Sequence, residues 1–96
     1  MDIPIGIFLA KPLLMRQEYP DRETMTQIVD TKDIGAAIRQ ARKAQGLRQP
    51  DLAGACGTSI RFISELERGK PTAHIGRVLH VLKMLGLRLH LDGSSS

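Results

Sequence analysis

Ninety-six residues make one small domain, with a core only marginally able to hold a lone copy together. Fourteen Lys/Arg against ten Asp/Glu give a net charge of +4, spread unevenly: residues 1–30 hold three basic and five acidic side chains, residues 31–96 eleven and five. A single cysteine excludes an internal disulfide, and the apolar start over residues 3–14 is broken by Pro4, Gly6, Lys11 and Pro12, which excludes a membrane span or secretory leader there. The expectation is a cytoplasmic protein whose basic, helical part suits a polyanion.

Residues 1–24 show no helical or strand period; three prolines and the polar run Arg16-Gln-Glu-Tyr-Pro-Asp-Arg-Glu23 predict an extended, mobile leader. Gln27-Ile28-Val29-Asp30 is β-prone, and Thr31 is an N-cap candidate for a first helix carrying Ile34, Ala37, Ile38, Ala41 and Ala44 on one stripe until Gly46 stops it. A second, short helix starts at Pro50 and Asp51, residues suited to a first helical turn, and shows Leu52, Ala53 and Cys56 before Gly57. Ser59 caps a third helix with Ile60, Ile63 and Leu66, ended by Gly69-Lys70-Pro71. Thr72 is the expected cap of a last helix with an apolar face of Ile75, Val78, Leu79, Leu82 and Leu85, and Leu52, Ile63, Leu66, Val78 and Leu82 are the expected core. Leu87-Arg88-Leu89-His90-Leu91 then alternates strictly, the pattern of a strand. Its edge needs a partner, either residues 27–30 or the same strand of a second subunit, and self-pairing of antiparallel strands satisfies two-fold symmetry. Residues 93–96 read as a disordered tail.

Two helices joined by a short glycine-containing turn form a DNA-binding helix-turn-helix unit, whose second helix enters the major groove. Three runs carry a closer resemblance: Gly46-Leu47-Arg48-Gln49-Pro50-Asp51-Leu52-Ala53, then Phe62-Ile63-Ser64-Glu65-Leu66-Glu67-Arg68-Gly69-Lys70-Pro71-Thr72, then Leu82-Lys83-Met84-Leu85-Gly86-Leu87. Through them the sequence from Ile34 to Leu91 resembles the Cro/CI/Xre family of helix-turn-helix regulators, and within it the HipB-type antitoxins; Glu-Leu-Glu-Arg-Gly-Lys-Pro is the most specific segment. The resemblance implies an all-α, lambda-repressor-like domain of four helices over residues 25–92. It further implies a homodimer joined through the C-terminal strand 87–91, which makes Leu87, Leu89 and Leu91 the dimerisation residues and favours the intersubunit partner for that strand. Many family members begin near the equivalent of Met25, so translation from Met25 or Met15 is the alternative to an accessory leader.

Readout in the major groove needs side chains near the start of the third helix. Arg61 is the first candidate, because its planar fork can bond both acceptors of a guanine. Ile60 can meet a thymine methyl, while Ser64 or Glu65 can contact bases, Glu65 by accepting from a cytosine amino group; Glu65 can equally just orient Arg61, four residues earlier on the same face. Gln49, at the start of the second helix, is a phosphate candidate, a place where the family commonly uses glutamine on the DNA backbone. Arg48, Thr58, Ser59, Arg68 and Lys70 are its companions. The resemblance assigns Arg42 and Glu67 to a partly buried ion pair between the first and third helices, a structural role.

Catalysis finds no support. His74, His80 and His90 have no Cys or carboxylate at metal-ligand spacing, Ser64 and Cys56 have no histidine placed to activate them, and Gly54-Ala-Cys-Gly57 lacks the lysine and length of a phosphate loop. No cofactor or metal is expected. The sequence therefore predicts a non-enzymatic, sequence-specific transcriptional regulator on a palindromic operator, and the resemblance makes it an autorepressing antitoxin with a HipA-type kinase toxin as partner. The alternatives are a solitary Xre-type repressor, or a protein-interaction module that has lost DNA binding.

Overall fold

The computed structural model describes residues 6–10 and 25–93. Four helices follow one another, α1 (Thr31–Ala44), α2 (Gln49–Cys56), α3 (Ile60–Glu67) and α4 (Ile75–Met84), and three strands flank them, β1 (Gly6–Ala10), β2 (Met25–Ile28) and β3 (Arg88–Asp92). The helices are the expected four, and α3 packs on both α1 and α2 while α4 packs on α2.

The core is built from one stripe of each helix: Ile38 of α1, Leu52 and Ala53 of α2, Ile63 and Leu66 of α3, and Val78, Val81 and Leu82 of α4 with Leu85 behind it. All five expected core residues are in it. The last helix is rotated from the expected face. Val78, Val81, Leu82 and Leu85 make the buried i, i+3, i+4, i+7 stripe, and Ile75 and Leu79 are exposed. Both candidate stripes are apolar, so hydropathy alone could not choose between them.

Two caps also differ from expectation. Asp30 rather than Thr31 caps α1, its carboxylate accepting from the N–H groups of Lys32 and Asp33, while Asp33 reaches back to the Asp30 N–H in a capping box. Thr31 is thereby free to donate its hydroxyl to Gly69 O at 2.7 Å, tying the start of α1 to the turn after α3. At α4 the cap is His74, whose Nδ1 accepts from Arg77 N–H, not Thr72.

The largest departure lies in the leader. Gly6–Ala10, expected to be mobile, is the central strand of an antiparallel sheet in the order β2-β1-β3. Ile7 stands opposite Ile28 on one side and Leu91 on the other. β3 thus finds an intrachain partner, but it is β1 and not residues 27–30, and the far edge of β3 has no strand beside it among the described residues. Leu87 and Leu89 pack against the core, whereas Leu91 points out and is exposed. The rest of the leader and residues 94–96 lie outside the described residues.

Candidate nucleic-acid interface

The geometry of the α2–α3 corner follows from its punctuation. Gly57 takes a left-handed conformation (φ 67°), and Thr58 N–H returns to Ala53 O at 3.0 Å, closing α2 sharply. Ser59 then caps α3, its hydroxyl accepting from Phe62 N–H at 3.0 Å. With Ile63 and Leu66 turned into the core, α3 presents Ile60, 50% exposed, and Arg61, whose side chain is 85% exposed, at its N-terminal end.

Glu65 lies one turn further on. Its carboxylate sits 3.4 Å from Arg61 Nε through Oε2 and 3.2 Å from Lys70 Nζ through Oε1, so one carboxylate holds two cations. The bond from Lys70 is the main influence that holds the Glu65 carboxyl below its ordinary range; burial opposes it, and the charge of Lys70 with the bond and charge of Arg61 keep the balance downward. Ser64 is half-buried beside it, and Arg68 is exposed at the C-cap of α3.

Behind this face, α2 begins with two residues that are already engaged. Arg48, exposed at the N-cap, is paired with Asp51, whose carboxylate also accepts Arg48 N–H at 2.8 Å and caps the helix; those bonds depress the Asp51 carboxyl. Gln49, half-buried, donates its amide to Glu67 Oε1 at 3.1 Å. Glu67 meanwhile takes Arg42 at both oxygens, Nε on Oε2 at 2.6 Å and Nη2 on Oε1 at 3.0 Å, and Arg42 Nη1 donates to Leu47 O at 2.8 Å. Gln49 is therefore positioned by the ion pair that joins α1 to α3.

Three features of the site are not visible in the sequence pattern. One is Gly35, buried where α1 crosses α3. Another is an open cleft of about 520 Å³ in which Thr58, Ser59 and Phe62 face His74, Arg77 and His80. It sets the N-terminus of α4 beside that of α3 and adds Arg77 to the basic groups near the corner; only the chain's return from α3 to α4, not local pattern, brings them together. The last is the shared hold of Glu65 on Lys70 as well as Arg61, which spacing on α3 alone does not show. Cys56 is partly buried against the core, where burial pushes its thiol up and leaves it a poor nucleophile. Among the described residues there is no cluster of metal-ligating side chains and no helix long and apolar enough to cross a membrane.

Comparison with known proteins agrees with this geometry. The helix-turn-helix domain family matches residues 33–91, from the first turn of α1 into β3. The HTH-type transcriptional regulator y4mF of Sinorhizobium fredii is 56% identical over 59 residues, 62% of this chain and 78% of that one. A 10 kDa protein of the immF control region of Bacillus phage phi105 is 32% identical over 76 residues, covering 84% of its length. In fold, the chain is similar to HipB from a complex of HipB with an O4 20mer (TM-score 0.65, 21% identity, 73% of this chain and 99% of that one) and to an MDT protein (TM-score 0.66, 21% identity, the same coverage). Matched from the first turn of α1 into β3, the chain belongs to the helix-turn-helix family of transcriptional regulators, proteins that bind DNA and catalyse no reaction.

Proposed function

We propose that the protein is a cytoplasmic, homodimeric repressor that reads a palindromic operator through α3. The observation that carries this is the exposed pair Ile60 and Arg61 at the capped, N-terminal end of α3, the part of such a helix that reaches base edges. Arg61 takes a guanine, Ile60 a thymine methyl, and Ser64 and Glu65 lie one turn behind. Gln49, Thr58, Ser59, Arg48, Arg68, Lys70 and the added Arg77 surround that reading head as phosphate contacts, which fix its register without reading sequence. The two copies join through the free edge of β3 and the exposed Ile75 and Leu79 of α4, placing the two reading helices about one DNA turn, ~34–36 Å, apart.

The resemblance of the α3 segment and its flanks to HipB-type regulators supports a finer role, autorepression as the antitoxin of a kinase toxin. Purification with the neighbouring gene products tests that part; a protein that comes down without a kinase is a solitary repressor.

The DNA reading is tested by selecting duplexes from a random pool with the purified protein. The selected duplex is then measured against a scrambled one across a salt series, with Arg61→Ala alongside. A repressor enriches a site with two-fold symmetry, binds it with steeply salt-dependent affinity, and loses preference in the variant. Equal, weak binding to both duplexes overturns the reading in favour of a protein-interaction module.

A further inference from the structure

The reading face of α3 carries a carboxylate, and a carboxylate next to DNA is an electrostatic cost that calls for an explanation. Glu65 is not a stray surface acid. Its side chain is only 22% exposed, and its two oxygens face two different cations, Arg61 from the turn before and Lys70 from beyond the end of the helix. Lys70 is brought there by the backbone. Gly69 adopts φ +84°, which sends the chain back so that Lys70 N–H bonds Glu65 O at 3.1 Å, and its side chain then reaches the Glu65 carboxylate. A Cβ at position 69 would lie 2.7 Å from Lys32 Cα, so the turn is fixed by α1 as well as by its own torsion.

From this arrangement we infer that Glu65 is a specificity-determining positioning residue, which holds Arg61 and Lys70 back from indiscriminate phosphate contact and loosens its hold on Arg61 only on a matching base pair. The inference rests on the proposed reading of DNA through α3.

The physical argument turns on what each kind of DNA offers the carboxylate. Near any phosphate backbone Glu65 is repelled, and the two cations whose combined charge it partly offsets attract phosphate less than free ones do, so nonspecific binding is weakened whatever the sequence. A G·C pair in the major groove changes the balance, because guanine presents N7 and O6 as acceptors to Arg61 while cytosine presents its N4 amino group as a donor to Glu65. Adenine N6 also offers a donor, but only a G·C pair joins a donor for the carboxylate to two acceptors on one base for the Arg61 fork, so that Glu65 gains a partner as it gives up part of its hold on Arg61. The residue subtracts from binding everywhere and returns that loss at one step of the site.

The test uses the full chain with Glu65→Gln, which keeps shape and removes charge, and Glu65→Ala, with thermal melts to establish that each variant folds. Affinity is measured for the duplex selected by the wild type and for a scrambled duplex, over a salt series. Both variants are expected to bind the scrambled duplex more tightly than the wild type does, with a log–log salt slope steeper by about one to two, one for each cation set free. The ratio of selected to scrambled affinity is expected to fall about fivefold or more, the discrimination of one base contact. Adding Lys70→Gln to Glu65→Gln takes back about one unit of the slope. Unchanged slope and unchanged ratio in a folded variant overturn the inference and leave the regulator reading standing. A wild type that selects no sequence at all overturns that reading and this inference with it.

Discussion

Arg42 of α1 and Glu67 at the end of α3 are joined by two parallel bonds, 2.6 and 3.0 Å, with their side chains 9% and 4% exposed. Leu47 O and the Gln49 amide give the pair two further partners, so each of its side-chain nitrogens and oxygens has at least one hydrogen bond. Removing one side strands the other. Arg42→Ala is expected to cost about 3–5 kcal/mol, because the buried carboxylate loses its cation, while a double replacement by apolar residues of similar volume costs much less. Denaturant melts of the single and double variants measure this; a single variant as stable as the wild type would count against the ion pair as the tie between α1 and α3.

Gly35 lets those two helices approach closely enough for the pair to form. A Cβ there would meet Leu66 O and lie 2.7 Å from Glu67 O, both backbone atoms that cannot swing away as a side chain would. Gly35→Ala is therefore expected to destabilise by about 1–3 kcal/mol although alanine is the better helix former. For a domain of this size each kcal/mol lowers the melting temperature by about 4–8 °C, readily read by circular dichroism.

What could be read in the sequence was what local chemistry decides. Ser59 and Gly57 mark the corner of the motif because a cap and a left-handed turn each require a particular residue type, and Ile63 and Leu66 follow by helical period. Where two residues satisfy the same rule the sequence is silent: Asp30 and Thr31 are both good caps, and the choice falls to Asp30 because Asp33 completes its capping box and Gly69 O lies within reach of the Thr31 hydroxyl. At the site, the exposure of Arg61 was foreseeable from period alone. The second cation on Glu65 was not, because it depends on the return of the chain through Gly69.

The sheet shows the same limit, since pairing partners are set by tertiary placement and the five residues of β1 carry no alternation to announce it. Ile7, between Ile28 and Leu91, occupies a central strand, where proline removes a backbone donor from the ladder. Ile7→Pro is expected to speed amide exchange in β2 and β3 while leaving α2 and α3 protected. Exchange rates in β3 unaffected by the substitution would mean that β1 does not hold it.

The titration of Glu65 supplies a separate check on the two-cation arrangement. Its folded-state carboxyl lies below its ordinary value, chiefly through Lys70 and then through Arg61. A depressed acid contributes its pairing fully above the unfolded glutamate pKa, about 4.3, and loses it only as pH falls through the lower folded value. Carbon-13 observation of the side-chain carboxyl should therefore place the Glu65 midpoint below that of a free glutamate. Lys70→Gln should raise it, and Arg61→Ala should raise it less, because the ammonium makes the shorter contact. A midpoint indifferent to Lys70 would mean that in solution the carboxylate serves Arg61 alone, and the slope expected of Glu65→Gln would shrink to that of one released cation.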